Sequence, residues 1–125
     1  MKVSKCPLEG ILLIEPNMYA DDRGFFLESF KQERYREMGI TEEFFQDNHS
    51  RSRKNVLRGL HFTRNRPQAQ IVTVMRGKIF DVVVDIRKDS PTFGKWFGTE
   101  LSDEGPIIST RDQMHRKLED IYGDW

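Results

Sequence analysis

Short β-branched and aromatic runs recur along this chain between clusters of Gly, Pro, Asn and Asp, and that punctuation predicts strands rather than helices. The runs are Ile11 to Glu15, Gly24 to Phe30, Phe44 to His49, Val56 to Phe62, Ala69 to Arg76, Lys78 to Ile86 and Lys95 to Leu101. Val74-Met75-Arg76-Gly77-Lys78-Ile79 reads as a tight hairpin turn, with Gly77 at the position that needs positive φ and two long strands pairing antiparallel on either side. The polar, Pro- and Gly-containing stretch from Asp85 to Gly94 reads as a longer loop between strands. Lys31 to Met38 carries helix formers and a thin apolar side made of Phe30, Tyr35 and Met38, and it ends at Gly39, a residue suited to the C′ position. Near the end, Ser109 and Asp112 are spaced like a capping box, and Met114, Leu118, Ile121 and Tyr122 share one helical face. The expected architecture is all-β, a sandwich or barrel, with one short helix near residue 35 and a second at the C-terminus.

Composition narrows the class of protein. At 125 residues and 37% hydrophobic content, one domain over 1–125 is expected, with 105–125 as a tail helix region docking on the body or on a second subunit. Twenty basic and twenty acidic side chains cancel, so no global field recommends nucleic acid or an anionic membrane as partner, and any anion site must be local. Cys6 is the only cysteine, which excludes an internal disulfide and fits a reducing compartment. With no long apolar run and no charged-then-apolar start, the expectation is a soluble cytoplasmic protein.

Candidate chemistry concentrates between Phe45 and Phe62, where FQDNHSRSRKNVLRGLHF brings together histidines, arginines and amides. If Val56 to Phe62 is a strand, alternation places Leu57, Gly59 and His61 on one face. A histidine there serves either as a base with its pKa tuned to the working range, or as a buried structural group satisfied by hydrogen bonds; both readings stay open at this point. His49, in the turn-like Asp47-Asn48-His49-Ser50, reads as a loop brace. The three histidines lack ligand spacing, so no bound metal is expected. Arg51, Arg53, Arg58, Arg64 and Arg66 form a basic cluster, and Arg23 precedes Phe25-Phe26. Guanidinium forks suit phosphate oxygens and aromatic faces suit a nucleobase, whereas most arginines simply form a solvated surface.

These motifs, taken in order, carry a resemblance. Asp22-Arg23-Gly24-Phe25-Phe26 with Glu28-Ser29-Phe30, then Gln46-Asp47-Asn48-His49-Ser50, Leu57-Arg58-Gly59-Leu60-His61-Phe62, Arg76-Gly77 with Asp81 to Arg87, and Ser90-Pro91-Thr92-Phe93-Gly94-Lys95-Trp96 together resemble the dTDP-4-dehydrorhamnose 3,5-epimerase family over residues 1 to about 103. The resemblance implies a cupin-like jelly roll, a homodimer, no metal and no cofactor, and a dTDP-linked 4-keto-6-deoxy sugar as substrate. His61 matches the base, Arg58 a residue beside the sugar and diphosphate, and Arg23, Phe26, Glu28, Gln46 and Asn48 the positions that hold thymidine and diphosphate. Two departures stand out. Gln70 occupies a position where the family commonly carries lysine, and after Glu100-Leu101-Ser102 the chain runs directly into Gly105-Pro106-Ile107-Ile108-Ser109, which resembles the family's extreme C-terminus. The intervening strand, with a tyrosine proton donor and an aspartate paired to the base, is not present. The implied function is 3,5-epimerisation in deoxysugar biosynthesis, with a non-catalytic dTDP-sugar-binding or interaction subunit as the alternative; a ketoisomerase on the same sugars fits the motif order less well. With fewer strands than a full jelly roll, the open edges predict an obligate dimer or larger assembly.

Overall fold

The computed structural model describes residues 1–62, 68–110 and 114–115. Its strands are β1 (Lys2–Lys5), β2 (Ile11–Glu15), β3 (Met18–Asp21), β4 (Gly24–Leu27), β5 (Gln70–Val72), β6 (Lys78–Asp85), β7 (Trp96–Ser102), β8 (Ile107–Thr110) and β9 (Met114–His115), with one helix, α1 (Gln32–Glu37), between β4 and β5. They form a sheet ordered β1-β2-β8-β5, a second ordered β7-β6-β9, and the two-stranded hairpin β3-β4. All pairings are antiparallel, and the architecture is an all-β, cupin-like jelly roll.

The central strands β2 and β8 of the first sheet are buried on both faces, and the side-chain period of two assigns their residues to them. Ile11 and Ile108 face the second sheet and pack with Val83, Leu101 and Leu8, with Leu13, Val72 and Phe97 around them. Ile14 and Ile107 face the opposite way and pack with Tyr35 of α1 and with Ile40, flanked by Leu12, Ile71, Met38 and Phe44. Short β-branched runs suit this sheet because their stiff side chains pack well on a pleated surface. α1 has no side-chain N-cap and only one and a half turns, so its stability comes from this docking rather than from propensity. Tyr35 is fully buried and donates its hydroxyl to the Ser29 carbonyl at 2.5 Å, while Phe30 meets Tyr35 edge-on at 4.9 Å between ring centroids. The helix ends as expected at Gly39, whose φ is +92°.

The Asp85–Gly94 loop is organised by one side chain. Asp85, with none of its surface exposed, accepts hydrogen bonds from the Arg87 amide and Nε (3.0 Å each), Arg87 Nη2 (3.0 Å), Ser90 Oγ (2.5 Å) and Thr92 Oγ1 (2.6 Å). Arg87 Nη2 also donates to the Glu9 carbonyl at 2.8 Å, tying this loop to the turn between β1 and β2. Burial pushes the Asp85 carboxyl up, but the hydrogen bonds from Arg87, Ser90 and Thr92 outweigh it and hold the group well below the usual carboxylate range.

Several expectations change. Gly77 does take positive φ, +89°, but β5 joins the first sheet beside β8 and β6 joins the second, so the turn carries the chain between layers instead of closing a hairpin. It is pinned by Asp103, whose Oδ2 accepts from the Gly77 amide at 3.2 Å. Phe44 to His49 and Val56 to Phe62 are not strands; both are irregular and mostly exposed, and no strand among the described residues pairs with them. The expected C-terminal helix does not begin at Ser109: Ile107–Thr110 is a central strand whose β-branched run takes ladder hydrogen bonds from β2 and β5 on both sides, which outweighs a local capping pattern. Residues 114–115 extend as β9 against β6, and the rest of the anticipated helix lies outside the described residues.

Candidate functional site

The β3-β4 hairpin gathers three of the expected site residues. In its register Tyr19 lies opposite Phe26 and Asp21 opposite Gly24, so Tyr19, Asp21, Gly24 and Phe26 share one face, which Glu28 continues. At the turn, Arg23 is chelated by Asp21: its Nε lies 3.1 Å from Oδ2, its Nη2 2.6 Å from Oδ2, and its backbone amide 2.8 Å from Oδ1. These bonds lower the Asp21 pKa and raise that of Arg23. Gly24 takes φ of +131°, which allows so tight a return. At the other end, Glu28 Oε1 accepts from Arg34 Nε of α1 at 2.5 Å, and the bond raises the Arg34 pKa, with Tyr19 adding to the effect. Between these two charged pairs stand the rings of Phe26, 71% exposed, and Tyr19, 64% exposed.

The remaining expected residues lie along the irregular segment after α1. Gln46 Nε2 donates to Asn48 Oδ1 at 3.1 Å. Arg58 Nε donates to Ser52 Oγ at 2.7 Å and its Nη2 to the Arg51 carbonyl at 3.3 Å, so the guanidinium is oriented by its own loop. His61 follows Gly59, which has φ of +101°, and it is exposed. The strand alternation expected for 56–62 therefore does not operate, and His61 is neither on an inner strand face nor a buried core histidine. The hydrogen bonds of these residues are local: Arg23 with Asp21, Glu28 with Arg34, Gln46 with Asn48, and Arg58 with Ser52 and the Arg51 carbonyl. Arg64 and Arg66 lie outside the described residues.

Gln70, on the face of β5 shared with Val72, points toward the space between the two sheets. A cleft of about 360 Å³ lies elsewhere, at the β1–β2 turn and the end of α1, where Lys5, Cys6, Glu9, Met38, Gly39 and Ser109 contribute to its wall. It shares no residue with the expected site, and burial pushes the Cys6 thiol up, away from the reactive thiolate. No helix among the described residues is long and apolar enough to cross a membrane. Sequence reasoning missed Tyr19, Asp21 and Arg34; only cross-strand register and the return of α1 bring them to Phe26, Arg23 and Glu28.

An antiparallel jelly roll of this topology, with arginines and bare aromatic rings displayed from a hairpin and an extended segment, has the architecture of the cupin-like class. The dTDP-4-dehydrorhamnose 3,5-epimerase family model matches residues 5–107, and the chain belongs to that family. It is 52% identical over 100 residues to the dTDP-4-dehydrorhamnose 3,5-epimerase of Methanothermobacter thermautotrophicus, covering 80% of this chain and 54% of that protein. It is 51% identical over 106 residues to the enzyme of the same name from Salmonella typhimurium, covering 83% and 58%. Among solved structures it is similar to a dTDP-6-deoxy-D-glucose-3,5-epimerase from Legionella pneumophila in complex with dTDP-4-keto-L-rhamnose, with a TM-score of 0.88 and 45% identity over 92% of this chain and 62% of that one. The chain thus spans a little over half the length of the curated relatives it matches.

Proposed function

We propose that this chain binds a dTDP-linked 4-keto-6-deoxy sugar and catalyses epimerisation at C3 and C5, as a homodimer in the cytoplasm, with His61 as the base. The ketone at C4 acidifies the neighbouring C–H bonds. The imidazole of His61 takes the proton from C3 or C5, the C–H electron pair moves into an enolate with its charge on the C4 oxygen, and water on the opposite face protonates the carbon and inverts the centre, its hydroxide then taking the proton from the His61 imidazolium. Gln70 supplies an amide donor for the enolate oxygen where lysine would bring full charge. Arg58 and Arg23 take the diphosphate, while Phe26, Glu28, Gln46 and Asn48 hold the thymidine.

The observation that carries this reading is the convergence of Arg23, Phe26 and Glu28 on one side of a single hairpin in a chain of this family. The same exposure supports the dimer. Phe45 is 88% exposed and Leu57 81%, on a segment that holds Gln46, Asn48 and Arg58, and large apolar groups left so bare are covered by another chain. The test is incubation with dTDP-4-keto-6-deoxyglucose in deuterated water. Label appearing at C3 or C5, and lost in His61→Ala, supports the reading; dTDP binding without any exchange overturns the catalytic assignment, and exchange that survives His61→Ala removes His61 from it.

A further inference from the structure

We infer that the cleft beside α1 is a second small-molecule site, which takes a small monocarboxylate with an apolar body and a hydrogen-bonding group at its far end. Its floor is one cross-strand row of the first sheet. Lys5 lies opposite Leu12, Leu12 opposite Ser109 and Ser109 opposite Ile71, so all four side chains stand on the same face. That face is the one α1 covers, since Leu12 and Ile71 pack there with Met38 and Ile40. Met38, Gly39 and Ile40 form the opposite wall of the cleft, whose volume of about 360 Å³ suits a small ligand.

Ser109 is out of keeping with its apolar neighbours in this row. It is only 3% exposed, yet its hydroxyl has no hydrogen-bond partner among the described residues, and it borders the cleft. Buried hydroxyls ordinarily find a partner, and a polar atom of a ligand supplies one here. Lys5 stands two strands away, roughly 10 Å at sheet spacing, exposed on the edge strand β1 and in no ion pair among the described residues. Between the two, Leu12 offers apolar contact. Glu9 also lines the cleft but lies beyond the row, on the turn between β1 and β2, so an anion is drawn to the Lys5 end.

Cys6 lines the same cleft and is the sole cysteine, so the rate of its modification by N-ethylmaleimide at mildly alkaline pH reads occupancy in the full chain. Three probes separate the contacts: para-hydroxyphenylacetate, phenylacetate, which lacks the hydroxyl, and para-cresol, which lacks the charge. Saturable protection of Cys6 by para-hydroxyphenylacetate is expected. Ser109→Ala weakens that probe about 3- to 10-fold and leaves phenylacetate within about twofold. Lys5→Gln, at an exposed edge position, keeps the test decisive should Ser109→Ala perturb its strand; it weakens both carboxylates about 2- to 5-fold and leaves para-cresol unchanged. Absence of protection at millimolar probe overturns the inference, as does equal protection by all three probes, which shows adventitious apolar binding only. Protection that survives both substitutions unaltered places the probe elsewhere and overturns it too. The epimerase reading is tested separately, since the cleft shares no residue with the site proposed for it.

Discussion

Replacing Asp85, a buried acid at the end of β6, should cost this protein a large share of its stability. The carboxylate has no exposed surface, accepts from the Arg87 amide and guanidinium and from the hydroxyls of Ser90 and Thr92, and through Arg87 reaches the Glu9 carbonyl. Removing one partner of a buried ion pair leaves the other charge uncompensated, at about 3–5 kcal/mol. Asp85→Ala falls in that range, because Arg87, Ser90 and Thr92 all lose their acceptor together. At roughly 2.1 cal/mol/K per residue of unfolding entropy, this lowers Tm by about 10–20 °C in a chain of this size. Asp85→Asn keeps one acceptor oxygen and lets the hydroxyls reorient, so its loss is smaller, about 2 kcal/mol. The assay is urea and thermal unfolding followed by tryptophan fluorescence, and a change below about 1 kcal/mol in Asp85→Ala would refute the assignment of this network as the loop's anchor. pH supplies an independent check. The folded-state pKa of Asp85 lies below the unfolded value, so its contribution is fully present above about pH 4 and disappears as pH falls toward the folded pKa. The acid-side loss of stability should be shallower in Asp85→Asn than in the unaltered chain.

Other outcomes are expected from the same structure. Gly77→Ala places an L side chain at φ of +89° and should destabilise by about 1–2 kcal/mol although nothing lies within 4 Å of the new Cβ. Gly98→Ala meets the Phe80 ring tip at 2.6 Å, but that ring is 68% exposed and swings clear, so denaturant unfolding should show a change below about 1 kcal/mol. Tyr35→Phe removes the donor to the Ser29 carbonyl and should cost about 1–2 kcal/mol by the same measurement. Size-exclusion chromatography with light scattering should give a dimer, and a monomer at micromolar concentration would contradict the proposed assembly.

Much of the scaffold was legible because its signals are local. Ile11 to Glu15 is a short apolar run closed by a charge and is a strand at the expected limits, and Gly39 ends α1 where a C′ glycine should. The loop from Asp85 to Gly94 was legible as a loop from its Pro and Gly, but not as a structure built around one carboxylate, since a fully buried acid is visible only once its partners surround it. The stretches Phe44 to His49 and Val56 to Phe62 carry apolar residues as true strands do, yet no strand among the described residues pairs with them. Ile107–Thr110 shows the converse: a sequence with a helix-start pattern becomes a central strand because β2 and β5 offer hydrogen bonds on both sides.

For the candidate site, residue type drew attention to His61 and to the arginines as a group, while Arg23, Phe26, Glu28, Gln46, Asn48 and Arg58 were singled out by the resemblance to the epimerase family. Sequence could not say that Asp21 engages Arg23, that Arg34 engages Glu28, or that Tyr19 stands opposite Phe26. Those pairings depend on register across the hairpin and on the return of α1, both fixed by contacts between segments far apart in the chain or set by how many residues a turn contains. A one-residue slip would turn Tyr19 to the other face of the hairpin with no change of composition.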